Sequence, residues 1–428
     1  MAKLVTLFMA SALVLAASAP ASAVEVKLGG NYQFVFQTGE GDFTGINADD
    51  MQSRVRLGLT FSVSEDLSGY FQTETRWGWG TRNRNKGADL DVVMRQAYID
   101  WRLPGTDVKL RMGRQSVSLP SFASTGVHIS DLVADGVAVH TPLGDGVSLS
   151  AFWLRPARAE DDSPHARTYD LFGLTGTATF GSWSVSPWAV YGSKAAGLEA
   201  DAQGNISAGP HADILTFGGG LEWQPFNPVT LALDAGWGRA AYSGRSDQQG
   251  WFAVARAAYA LKFAEPALLG WYASGDGRGA LKNSGQFPVI FGDFNASSTF
   301  FDNTWGPGAG NGIHNTVIGG TWGLGVQLNG ISFLSGLTHD LGVVYIGGTN
   351  SRYNGGCGAP NAYSSYLTSE DSLVEFNLLN TWEIYKNLTS RLELAYVVEN
   401  FDTDTAHGRG GEHYENAWRV TLHFQYLF

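Results

Sequence analysis

The last eleven residues constrain this chain more than any other feature. From Trp418 to Phe428, the positions Trp418, Val420, Leu422, Phe424, Tyr426 and Phe428 are apolar or aromatic, whereas Arg419, Thr421, His423 and Gln425 are polar. Side chains alternate across a strand, so one face is greasy and the other wet over about ten residues, the length that crosses a bilayer when tilted. The pattern recurs in Val55, Leu57, Leu59, Phe61 and Val63 against Arg54, Arg56, Thr60 and Ser62. It appears again in Val374, Phe376, Leu378, Trp382 and Ile384 against Glu375, Asn377 and Thr381, and in Leu392, Leu394, Tyr396 and Val398 against Arg391 and Glu393. A soluble sheet would turn the apolar face to a core, whereas a membrane barrel turns it to lipid and lines its lumen with the polar face. Periodicity alone leaves both open.

The N-terminus favours the membrane. Met1-Ala2-Lys3 is a short basic start, Leu4 to Ala17 is apolar, and Ala21-Ser22-Ala23 is a small-x-small cleavage pattern. Residues 1–23 therefore read as a secretory signal peptide, with the mature barrel domain over 24–428. No later stretch offers about 18 consecutive apolar residues, so any membrane crossing must use strands. Fifty-five glycines, 13% aromatics and only 16% charged residues suit tight turns and pleated strands. Trp77, Trp101, Trp153, Trp237, Trp382 and Phe428 fall near strand ends, as interfacial girdles require. Together these select an all-β, antiparallel barrel in the bacterial outer membrane.

Connection lengths set its size. Long connections near 38–51, 79–91, 116–133, 155–167, 193–211, 240–249, 275–315, 348–370 and 401–412 alternate with short turns such as Glu65-Asp66, Pro104-Gly105, Gly144-Asp145, Gly181-Ser182, Ser335-Gly336 and Lys386-Asn387. Nine such hairpins give about 18 strands with both ends on the periplasmic side. Sixteen stays open, because the strands near 268–275 and 331–347 are the least distinct. An open edge in lipid would leave unpaired backbone groups, so the strand Val26 to Phe36 should close on the one ending at Phe428. A barrel this wide cannot be filled by its own side chains and must hold a channel or a plug. With the first strand starting so near Val24, no N-terminal plug domain is expected.

Three local features carry a family resemblance: the terminal Phe428 with aromatics at Tyr426 and Phe424, the strand Arg95-Gln96-Ala97-Tyr98-Ile99-Asp100, and the strand Val108 to Gln115 before a long loop. With them the organisation of the mature chain resembles the trimeric porins of Gram-negative bacteria, most like the homotrimeric porins of sulfate-reducing bacteria. The resemblance implies a water-filled channel for passive diffusion of small hydrophilic solutes and ions. It also implies a homotrimer, contact with outer-membrane lipid and lipopolysaccharide, and insertion by the barrel-assembly machinery reading Phe424, Tyr426 and Phe428. Small outward positions such as Gly30, Ala253, Ala255 and Ala257 could serve wall-to-wall packing.

In such porins the third external loop folds into the lumen. Here that loop, Ser116 to Val133, carries Leu119, Phe122, Val127 and Ile129 and is poor in charge, so the barrel interior is its natural surface. Strand alternation places Arg54, Arg56, Glu74, Arg76, Asp100, Lys109 and Arg111 on the luminal wall, with Arg114 at the loop junction. A charge on the lipid side at mid-depth would cost roughly 2–4 kcal/mol. The resulting expectation is a basic stripe of Arg54, Arg56, Arg76 and Arg111 opposite Asp131, with Asp135 beside it, forming a polar constriction.

A substrate-selective sugar or anion channel is the alternative, since tryptophans can form a slide for sugars, but alternation puts Trp77 and Trp251 toward lipid. An outer-membrane hydrolase is disfavoured: His128 and His140 flank Ser130 and Asp131, yet His140 lies on a strand that holds it away from the loop. Gly218-Gly219-Gly220 falls within a strand and reads as a close-packing position rather than a phosphate cradle. A net charge of −12 disfavours nucleic acid as a partner. The single cysteine, Cys357, can form neither an internal disulfide nor a zinc site. No cofactor is implied, although acidic loops offer the oxygen ligands that Ca2+ takes.

Overall fold

A computed structural model of the chain describes residues 24–40, 50–79, 92–123, 126–158, 167–196, 199–200, 206–207, 210–244, 246–277, 283–301, 317–353, 367–402 and 416–428. The signal peptide and Cys357 lie outside the described residues. Eighteen staves follow one another: β1 (Glu25–Glu40), β2 (Asp50–Ser62), β3 (Leu67–Gly78), β4 (Val92–Arg102), β5 (Lys109–Val117), β6 (Leu132–Gly144), β7 (Val147–Arg158), β8 (Thr168–Phe180) and β9 (Trp183–Lys194). They continue with β10 (Ala212–Phe226), β11 (Val229–Tyr242), β12 (Asp247–Tyr259), β13 (Glu265–Ala273), β14 (Thr321–Leu334), β15 (Leu337–Gly348), β16 (Ser372–Tyr385), β17 (Leu388–Asn400) and β18 (Ala417–Leu427).

Each stave pairs antiparallel with its chain neighbours, and β1 closes on β18 from Asn31↔Leu427 to Glu40↔Trp418. Closure leaves no stave with an open edge, as spanning a lipid phase requires. The two indistinct strands are present as β13 and as the β14–β15 hairpin, which settles the number at eighteen. One expected long connection is short: residues 243–246 join β11 to β12. There the Asp247 carboxylate accepts the Tyr242 N–H at 3.2 Å and completes the turn.

Outward positions are apolar, with Leu215, Phe217, Leu268, Leu324, Val326 and Phe376 all exposed. Aromatic pairs mark the rims: Trp183 stacks on Trp223 at the short-turn end, and Trp251 lies against Tyr272 near the long-loop end. The inner face departs from simple alternation. Phe152, Leu154, Leu171, Trp188, Val254, Leu269, Trp271 and Ile346 are apolar, buried and luminal, because two loops pack on them.

The seam is tightly packed. Gly30 and Phe428 exchange backbone hydrogen bonds (2.9 and 3.1 Å), and a Cβ on Gly30 would lie 2.4 Å from the Arg56 carbonyl oxygen and 2.8 Å from the Phe428 ring. Gly30→Val should therefore prevent most of the barrel from closing. Semi-native gel electrophoresis checks this: the heat-modifiable folded band should largely disappear while the unfolded band persists.

Candidate functional site: the lumen and its arginine wall

The third external loop leaves β5, crosses the lumen and binds the far wall. Asp234 on β11 accepts the Ser121 hydroxyl (2.7 Å) and the N–H groups of Phe122 (2.9 Å) and Ala123 (2.7 Å). A turn that would otherwise bury bare donors thus finds a carboxylate as its acceptor. Gly220 makes room for it, since a Cβ there would meet the Phe122 ring at 2.6 Å. The glycine run in β10 is a close-packing device, as its position within a strand implied.

His128 fixes the middle of the loop. Its Nδ1 accepts the Ile290 N–H (3.4 Å), so Nε2 carries the proton and donates to Thr216 Oγ1 (2.8 Å). The ring lies against Trp188 and Phe287, with centroids 5.1 and 5.0 Å away. Complete burial among these groups pushes the imidazole down from 6.5 to about 3.

A second loop shares the lumen, where the sequence pattern predicts an external connection. The connection from β13 to β14 carries Phe287, Phe294, Phe300 and Phe301, all fully buried. Glu375 on β16 accepts the N–H groups of Thr299 (2.7 Å) and Phe300 (2.9 Å), while Arg419 on β18 donates to the Ser298 carbonyl and lies 3.6 Å from Glu393. The two loops join: Ile129 bridges Phe291 in parallel, and the Ser130 and Asp293 N–H groups bond across to Phe291 and Gly126 carbonyls. Five phenylalanines within residues 287–301 were the available signal, because an exposed loop has no use for them.

The joined loops and the apolar core around them draw on β6 to β18, with Val117 of β5 at the margin and no member from β1 to β4. The apolar plug is thus absent from the first four staves, whose inner face is polar and carries most of the expected site residues; Arg54 and Glu74 are buried there, while Arg56 and Arg76 are partly exposed. Arg54 Nε donates to Gln33 Oε1 (2.7 Å), and Arg56 and Arg76 both donate to Glu74 at 2.5 Å. Arg95, absent from the expected set, lies 3.8 Å from Glu74 and pairs with Asp131.

Three expectations change. Arg111 is not part of this cluster: it forms a bidentate pair with Asp100 (2.7 and 2.8 Å) over the Tyr98 ring. Asp100 is opposite Ser68, six residues from Glu74 on β3, or roughly 20 Å along the strand toward the periplasmic end, where Lys109 faces His140. Arg114 and Asp135 pair at 3.1 and 2.9 Å but stand opposite Arg155, in line with the outward Trp153, because the buried luminal Gln115 fixes the alternation. Asp131 does not face the arginines across a gap; it is bonded to one of them. Phe424, Tyr426 and Phe428 do flank the seam, with Phe424 paired to Phe34.

Among the described residues no group of three or more His, Cys, Asp or Glu side chains could hold a metal. His128 hydrogen-bonds Thr216 and Ile290 and leaves no Ser/His relay with Ser130.

A closed eighteen-stave barrel, narrowed by two inward loops and lined on its first staves by charged side chains, defines an outer-membrane channel. The chain belongs to the Gram-negative porin family, whose model matches residues 10–327. No curated protein matches it by sequence. Among solved structures it is similar to OprD of Pseudomonas aeruginosa, with 13% identity, a TM-score of 0.57, and 94% of this chain and 95% of that one covered. Similar likenesses hold to OccK3 (12%, 0.57, 94% and 96%) and to OccK2 in complex with glucuronate (11%, 0.58, 94% and 98%), both from Pseudomonas aeruginosa. At these identities the likeness is one of fold, and it confirms the barrel architecture read from the sequence. The protein is an outer-membrane porin.

Two outcomes follow for the loop. Asp234→Ala strips three donors of their acceptor, and each buried N–H left bare costs about 1–3 kcal/mol, so the third loop should loosen. Single-channel recording should show larger and noisier conductance, with Asp234→Asn intermediate. For His128, the unfolded chain takes up a proton as pH falls through 6.5 while the folded chain does not until about 3. Its contribution to stability is therefore complete at neutral pH and declines across that interval. The urea midpoint should fall on acidification, and His128→Gln should flatten the part of that slope due to this group.

Proposed function

We propose that the channel passes small hydrophilic solutes by passive diffusion and favours anions, organic carboxylates among them. One observation carries this reading: four guanidiniums, Arg54, Arg56, Arg76 and Arg95, share the inner wall of β2 to β4 with two carboxylates, Glu74 and Asp131. The excess is cationic, and it lies on the part of the inner wall that contributes nothing to the apolar plug among the described residues. Low-dielectric walls focus such a field on a passing ion. OccK2, which shares the fold, has been solved with glucuronate, a carboxylate of the kind such a wall would draw in.

The same reading assigns residues 1–23 to export and Phe424, Tyr426 and Phe428 to the barrel-assembly machinery. It takes the working form as a homotrimer in lipopolysaccharide-bearing lipid, without catalysis. Arg114, Asp135 and Arg155 belong to the outer rim in this account, at the height where lipid headgroups and lipopolysaccharide would meet them. Asp100, Lys109 and Arg111 line the periplasmic side of the path.

Reversal potential in a salt gradient tests the wall. Arg56→Gln with Arg76→Gln should move selectivity clearly toward cations, and Arg111→Gln, paired with Asp100 well below the cluster, should move it less. An unchanged potential in the double variant would remove the wall from the constriction. Current block by glucuronate but not by an uncharged sugar would extend the result from ions to carboxylates.

A further inference from the structure

We infer that Arg95 is a selectivity-determining residue, turned into the lumen by a β-bulge so that it neutralises Asp131 and the third loop brings no net charge to the arginine wall. The inference rests on the anion-favouring reading of that wall and refines it.

Simple alternation along β4 would send Arg95 outward, because Gln96, Tyr98 and Asp100 take the luminal face. The ladder to β3 breaks that rule. Gln72 pairs with Gln96, the next pair is Thr73↔Met94, and Arg95 is the residue left over. A bulge puts two residues against one and re-aims a side chain. Here the guanidinium ends beside luminal Glu74, and only 17% of the side chain is exposed.

Its partner is held with equal care. Asp131 is the one non-glycine among the described residues with a positive φ, at 49°. Asp and Asn tolerate that region best, but it still has a cost for any L-residue. Three contacts hold it there: its N–H donates to Ser118 Oγ at 2.8 Å, and its carboxylate accepts from Ser116 Oγ and from Arg95. The loop's return to the wall is thus built around this ion pair. Opposite charges in contact form a dipole, whose field fades well within a Debye length of about 10 Å at 0.1 M salt. A passing ion senses Arg54, Arg56, Arg76 and Glu74, and little of the loop.

The test compares Arg95→Gln, Asp131→Asn and the double variant by reversal potential in a potassium chloride gradient. Asparagine keeps the left-handed conformation accessible at 131, and heat-modifiability verifies that each barrel is folded. Arg95→Gln should shift selectivity toward cations, Asp131→Asn toward anions by a similar amount, and the double variant should return to the wild-type value. Arg95→Lys, which keeps the charge, should stay near wild type and serves if the glutamine variant does not fold. An inert Arg95→Gln, or a double variant that keeps the full shift of either single, overturns the inference. If the Arg56 and Arg76 variants respond while Arg95 does not, the wall stands and only this refinement fails.

Discussion

Every feature of this channel depends on the hydrogen bonds that join β1 to β18. Lipid offers no partner to a bare N–H, so a sheet of seventeen ladders is untenable until the eighteenth closes it. Closure at Gly30 and Phe428 fixes the stave number, the stave number fixes the bore, and the bore is too wide for wall side chains to fill. External loops must therefore decide what passes.

The loops enter a space lined by a wall, and their own backbone donors would be stranded there. Carboxylates on the wall solve the problem. Asp234 receives three donors from the third loop, and Glu375 receives two from the loop between β13 and β14. Around these pegs the luminal face is apolar, so the loops bury phenylalanine against it as a soluble protein would. The plug is therefore lopsided. It is fastened to the later staves, and the first four keep a polar, arginine-bearing inner face.

The barrel was legible in the sequence because period-two alternation and the rhythm of long and short connections are local signals. So was the inward course of the third loop, whose Leu119, Phe122, Val127 and Ile129 had no reason to face water. The second inward loop was missed although its phenylalanines were visible, since their partners, Trp271 and Glu375, are distant in the chain. Alternation correctly put Arg54, Arg56, Glu74 and Arg76 in the lumen. It gives no sign of Arg95, which a bulge brings to the lumen without any mark in composition. Proximity to the loop points Arg114 and Asp135 toward the constriction, but Gln115 takes the inward place beside them. Arg111 shares the correct face with the cluster and differs only in depth, which alternation does not encode.

The lopsided lumen is the central claim, and thiol accessibility tests it directly. In a Cys357→Ser background, Gln72→Cys sits half-buried on the polar inner wall of β3 and Val190→Cys, 1% exposed, lies beneath the joined loops. A charged, membrane-impermeant thiol reagent added to single channels in a planar bilayer should reduce current stepwise at Gln72→Cys and leave Val190→Cys unaffected. Block at Val190→Cys with none at Gln72→Cys would place the passage on the other side of the barrel, and silence from the folded unmodified protein would mean that no passage exists.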